Sequence, residues 1–165
     1  MLQIVFRSHL TKLLSYTDIQ RLCLAAARNN RKAGVSGFMI ECGGVFLVSI
    51  EGEHRDVDGA LDRIFQYPHH DGIEILYSEE NLGRRRFGAW AMNVMFMDDD
   101  VFWQTVFGSG LSCDEILLHR TMEPVFALGL LAMAYHHACS RAKILPSPVG
   151  AGSGRIPQIS HMFRR

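Results

Sequence analysis

The side chains of this chain that could do chemistry form groupings that stop short of a reaction centre. His136 and Cys139 stand three apart on a predicted helix, with His137 between them, so a metal could meet two ligands on one helical face. A tetrahedral zinc site needs four ligands, and one helix cannot complete it. Gly-Ser-Gly at 108–110 and Gly-Ala-Gly-Ser-Gly at 150–154 would cradle phosphate only in a strand-turn-helix setting followed by Gly-Lys-Ser/Thr. Both lack that setting and read as linkers. Cys23, Cys42, Cys113 and Cys139 show no CxxC spacing, and four reduced, mostly buried thiols are expected. No Ser-His-Asp or Cys-His arrangement follows from positions alone, so no enzyme is expected.

Composition narrows the class further. The chain has 165 residues, 48% of them hydrophobic and 21% charged, an ordinary globular balance with enough length for one domain and an appendage. Lys plus Arg and Asp plus Glu number 17 each, so no global field favours nucleic acid or an anionic membrane. The start has no small-residue cleavage site, and the apolar stretch at 125–135 is too short to span a bilayer. A cytoplasmic protein is the expectation.

The elements that must position these residues follow from periodicity. Residues 2–6 are branched and aromatic, as suits a first strand, which Arg7 and Ser8 end. Thr17 or Ser15 can cap a helix carrying Ile19, Leu22, Cys23, Leu24, Ala26 and Ala27 as far as Asn29 or Asn30. Strands at 38–41 and 45–50 are split by Gly43-Gly44, a dipeptide that permits the positive φ angles of a tight hairpin. A second helix at 54–65 places Val57, Leu61, Ile64 and Phe65 on one side and ends before Pro68. Strands at 73–77 and 90–97 flank a solvated loop at 84–86. The order βαββαββ predicts an α+β fold: a ferredoxin-like sheet, antiparallel or mixed, with both helices on one face. Beyond it, 101–107 is short and aromatic, and 114–139 is helical with Pro124 as an internal break. The tail from 145 is rich in Pro and Gly and predicts a flexible segment. The expected division is 1–97 for the sheet domain, 98–144 for a helical extension packing on the sheet, and 145–165 for the tail.

Five short motifs stand in register along the first ninety or so residues: Phe6-Arg7-Ser8; Asn30; Gly34-Val35-Ser36-Gly37; Phe46-Leu47-Val48-Ser49-Ile50-Glu51-Gly52; and Arg85-Arg86-Phe87-Gly88-Ala89-Trp90-Ala91-Met92. In this order and spacing the chain resembles a BLUF domain, the blue-light-sensing FAD module of bacteria. The resemblance implies a flavin between the two helices, its ring edge facing the middle of the sheet. In that family a Tyr donates an electron and a proton to the excited flavin, and a Gln bonded to both rearranges afterwards. Here Phe6 and Val48 stand at those positions, and neither side chain has a donor or an acceptor.

Binding rests on other groups. Asn30 matches the Asn that holds the ring's carbonyl and imide edge, and Phe46 and Ile64 match positions that wall the ring. Trp90 and Met92 match residues that pack beside the flavin, Trp90 being a candidate electron donor. His69 stands where the family's Asp-Pro-Arg-His offers Arg to phosphate, since this chain reads Tyr67-Pro68-His69-His70. Losing Arg weakens the anion grip, and Val48 leaves polar ring atoms unpaired at a cost of about 1–3 kcal/mol. The resemblance therefore implies a light-insensitive regulatory protein, with FAD as the candidate cofactor, acting through homo-oligomers or a downstream protein partner. A flavin-free dimerisation module on the same fold is the alternative.

Overall fold

In a computed structural model the described residues are 1–98, 101–108 and 112–144. The expected tail from 145, and Ser109-Gly110 of the first glycine linker, lie outside them.

The sheet is mixed and five-stranded, in the order β4-β1-β3-β2-β5. β1 (Leu2–Leu10), β2 (Ser36–Cys42), β3 (Val45–Gly52), β4 (His70–Glu79) and β5 (Val94–Phe96) alternate with α1 (Tyr16–Lys32) and α2 (His54–Phe65). β1 pairs antiparallel with both β3 and β4, and β2 pairs antiparallel with β3. β5 adds to β2 in parallel. This is the expected ferredoxin-like α+β arrangement. Every residue of β2 and β3 is buried, which requires cover on both faces of the sheet and explains why these strands read as nearly continuous apolar runs.

α1 and α2 cover one face. Ser15 caps α1, its Oγ accepting from the Asp18 N–H at 3.2 Å, and Ile19, Cys23, Ala27 and Asn30 form the buried stripe of that helix. In α2 the buried positions are Val57, Ala60 and Leu61. Phe65, expected on that side, is 56% exposed because it is the last residue of the helix, past the sheet it would have to reach.

The opposite face is covered by the C-terminal segment: α3 (Val101–Phe107), a π-helical turn at Glu115–His119, a short 3₁₀ turn at Arg120–Met122, and α4 (Pro124–Arg141). Contrary to the expectation for 114–139, Pro124 does not break a helix from within. It opens α4 at the first turn, where a missing N–H costs nothing. The last predicted strand also shrinks. Residues 90–93 are irregular, yet two of their carbonyls still bond β2: Trp90 accepts from Gly37 N–H at 3.1 Å and Asn93 from Met39 N–H at 2.9 Å.

The expectation of four reduced thiols is corrected as well. Cys23 and Cys139 are free and buried, but Cys42 and Cys113 are joined, with Cα atoms 5.7 Å apart across a sequence separation of 71. Only the folded chain brings those two ends together.

Candidate functional site

Alternation along the strands decides which side chains meet. Phe6 of β1 lies directly opposite Val48 of β3, and Val48 lies opposite Met39 of β2, so all three project from one face. They floor a cleft of about 170 Å³ whose walls are Leu22, Cys23, Ala26 and Asn30 from α1 and Ala60, Arg63 and Ile64 from α2. Ala25, Asn29, Tyr67, His70 and Met92 complete the lining. Phe6 is 1% exposed and Val48 4%, so the floor is dry hydrocarbon and aromatic carbon.

The polar groups sit at the rim. The Asn30 amide nitrogen donates to the Ala91 carbonyl at 2.9 Å, tying the end of α1 to the irregular segment before β5. His70 Nδ1 lies 3.0 Å from Ser8 Oγ, and its ring contacts Phe46 and Tyr67 with centroids 5.3 and 5.6 Å away. Burial, with a smaller push from neighbouring His69, holds the His70 imidazole below the ordinary histidine range, which favours the neutral ring. Burial also pushes the Cys23 thiol up to about 12, so it lines the cleft as a small inert hydrophobe.

Of the residues singled out in the sequence, Phe6, Val48, Asn30, Ile64 and Met92 converge on this cleft. Phe46 does not line it; fully buried, it backs His70 from beneath. His69 does not line it either and packs edge-on against Tyr67. Trp90 is on the other side of the sheet, 1% exposed, its ring 6.0 Å from Phe38 and 5.5 Å from Tyr135 of α4. Met92 and Trp90 are two residues apart but do not share a face, because the backbone between them is not a strand. The sequence reading missed Arg63, His70, Tyr67, Asn29 and Met39. Arg63 and Asn29 carried a signal, each lying on a helix already predicted to pack on the sheet. His70 carried one too, since with Pro68 it matches the family's Asp-Pro-Arg-His run.

On the far face the motif residues form a bonded polar layer. Gln3 Nε2 donates to Ser49 Oγ at 3.1 Å and to Glu51 Oε1 at 3.0 Å. Glu51 also accepts from the Arg86 and Phe87 N–H groups at 3.1 and 3.0 Å, while Arg85 donates to Ser36 Oγ and the Glu51 carbonyl at 2.8 Å each. The arginine loop expected to be solvated is thus anchored to the sheet. Arg7, between Phe6 and Ser8, points away from the cleft and donates to the carbonyls of Leu117 and Leu118 at 3.1 and 2.5 Å, with Glu74 as its ionic partner. The π-helical turn leaves those carbonyls available.

A model of the family described as sensors of blue light using FAD matches residues 1–93. The chain belongs to the BLUF family. Solved structures agree on the fold. BlsA in its photo-activated state is 20% identical, with a TM-score of 0.64 over 81% of this chain and 95% of its own. BlrB in its dark state is 23% identical, with a TM-score of 0.56 over 78% and 96%. A bacterial light-regulated adenylyl cyclase is 22% identical, with a TM-score of 0.59 over 86% of this chain and 36% of its own; the present chain thus spans about a third of that enzyme. No curated protein matched. No helix among the described residues is long and apolar enough to cross a membrane, and no group of three His, Cys, Asp or Glu among them could hold a metal ion.

The cleft fits a flavin in part. Its apolar floor and helical walls suit a flat ring, and Arg63 at the rim is a cation for a phosphate. Nothing on the floor can exchange a hydrogen bond with the ring. The cleft's volume of about 170 Å³ also falls below the roughly 300–1,000 Å³ usual for a drug-sized ligand.

Proposed function

We propose that this BLUF-family protein is a regulatory module that holds FAD between α1 and α2 and does not run the family's hydrogen-bond photocycle. The observation that carries this is the register at the cleft floor, where Phe6 stands opposite Val48: a benzene ring and an isopropyl group have no proton to shuttle and no lone pair to offer. Asn30, Ile64 and Met92 would contact the ring, Phe46 would support it through His70, and Arg63, rather than His69, would meet the phosphate end. Trp90 packs edge-to-face against Tyr135 of α4 and would act as a packing residue, not as an electron donor at the ring.

Residues 1–97 are proposed as the sensor unit and 98–144 as the extension through which the cleft reports to a second copy or a protein partner. No catalytic step, nucleic acid or membrane is assigned to it, and a cytoplasmic setting suits this role. A flavin-free interaction module is the second reading, favoured by the small volume of the cleft. Absorption spectra of the purified protein separate the two. A structured visible band that blue light leaves unchanged supports the first, and colourless protein after incubation with FAD supports the second. A reversible light-driven red shift in the parent protein would overturn both. In flavin-loaded Phe6→Tyr/Val48→Gln, such a shift is expected to appear; its absence would show that the loss of these two side chains is not what makes the parent blind.

A further inference from the structure

We propose that Cys42 and Cys113 are a reversible thiol–disulfide pair that ties the C-terminal helices to the sheet and makes their docking respond to thiol oxidants. Cys42 ends β2 just before the Gly43-Gly44 turn and is fully buried. Cys113 lies two residues before the π-helical turn and is partly exposed. Their Cα atoms, 5.7 Å apart, sit at the separation a disulfide prefers.

The difference in exposure assigns the roles. Cys113 is the sulfur a small reagent can reach, and Cys42 is the one it cannot. With oxidised glutathione as the oxidant, the Cys113 thiolate attacks one glutathione sulfur, forms a mixed disulfide and releases one glutathione thiolate. Cys42 then gives its proton to solvent, attacks the Cys113 sulfur and expels the second glutathione. Two protein thiols lose two electrons and two protons, and one glutathione disulfide becomes two thiols. A dithiol reductant reverses the sequence by entering at Cys113.

What the bond controls follows from what else holds the segment. Among the described residues its other attachments to the sheet are non-covalent and include the Arg7 bonds to Leu117 and Leu118, the Ala89 N–H bond to the Tyr135 phenol and the packing of Tyr135 on Phe38, Phe87 and Trp90. Opening the disulfide frees the end of that segment next to the π-helical turn while leaving the sheet paired. Cys23 and Cys139, both free and buried, do not compete, because neither is paired with a second cysteine through which an oxidant could reach it, whereas Cys42 lies against the partly exposed Cys113. The inference is independent of whether flavin is held, because none of its readouts involves the cleft.

The test uses the full chain, treated with oxidised glutathione or with dithiothreitol. Peptide mapping without reduction should show the Cys42 and Cys113 peptides linked only in the oxidised sample. Reduction should lower the thermal midpoint by about 10 °C, as expected for opening a loop of this length in a chain of this size, and should speed amide exchange across 112–144 while β1 and β3 stay protected. Cys113→Ser, which alters the accessible position and spares the buried one, should behave like reduced protein and ignore dithiothreitol. Four alkylatable thiols after oxidation, a link through Cys23 or Cys139, or a 42–113 link whose reduction changes neither midpoint nor exchange would each overturn the proposal.

Discussion

The two faces of one sheet use their buried surface in opposite ways. Beneath α1 and α2, the side chains of Ile4, Phe6, Met39 and Val48 are apolar, and the polar groups stand around them: Asn30, Arg63 and the Ser8–His70 pair at the cleft, and Glu41 at the end of β2, bonded to the Gly44 N–H. Beneath the C-terminal segment, Gln3, Arg7, Ser36, Ser49 and Glu51 are buried polar groups in mutual contact or bonded to the loop at 84–88 and to the π-helical turn. A buried polar network tolerates one geometry, because every broken bond leaves a desolvated group without a partner. An apolar floor tolerates many, because dispersion and burial are not directional. The floor of the face proposed to hold the flavin carries no directional chemistry, and the face under the C-terminal segment carries a bonded network of it.

Glu51→Ala attacks that contrast most severely. It removes the acceptor shared by Gln3 and the Arg86 and Phe87 N–H groups and, at about 1–3 kcal/mol for each donor left without a partner, should cost about 3–5 kcal/mol of unfolding free energy, read from the denaturant midpoint. A cost below about 1 kcal/mol would mean that the network adds little to the fold. Arg7→Met keeps the stem but leaves the Leu117 and Leu118 carbonyls and Glu74 without their cation. A loss of about 2–3 kcal/mol is expected, with faster exchange confined to 112–144. Uniformly faster exchange would instead show that Arg7 serves the sheet as a whole. Tyr135→Phe is milder: it deletes one hydrogen bond, from the Ala89 N–H to the phenol oxygen at 2.8 Å, while keeping the ring contacts, and should cost about 1–2 kcal/mol.

The same contrast explains what the chain discloses before it folds. The hairpin at Gly43-Gly44, the two amphipathic helices and the order of the strands are legible because burial on a defined face imposes a period of 2.0 or 3.6 residues. The floor of the cleft is legible because Phe6 and Val48 stand inside motifs whose neighbours fix their register. Trp90 is not, because strand alternation does not extend into residues 90–93, where the Ala91 carbonyl is drawn to Asn30 of α1. Long-range polar bonding has no sequence period, so neither the pairing of Arg7 with a π-helical turn 110 residues away nor the Cys42–Cys113 bond announces itself.

Acidity should act on the two faces with opposite sign, which gives the smallest but cleanest comparison. Burial holds His70 below its ordinary 6.5, so the folded protein binds that proton less readily than the unfolded chain. The stability His70 contributes is complete above 6.5 and is lost as pH falls through its lowered value. Glu51 is the reverse: burial pushes its carboxyl above 4.5, against the two backbone N–H bonds and the Arg85 and Arg86 charges, so its contribution is complete below 4.5 and is lost as pH rises through the raised value. Replacing the cleft-side group alone, as His70→Gln, should therefore flatten the decline in unfolding free energy between about pH 8 and about pH 5.5, leaving the Glu51 slope in place. Denaturant midpoints measured across that interval decide it: if parent and variant fall in parallel, the imidazole beside Ser8 is not held neutral by the cleft, and the polar rim contributes no pH sensitivity to this face of the sheet.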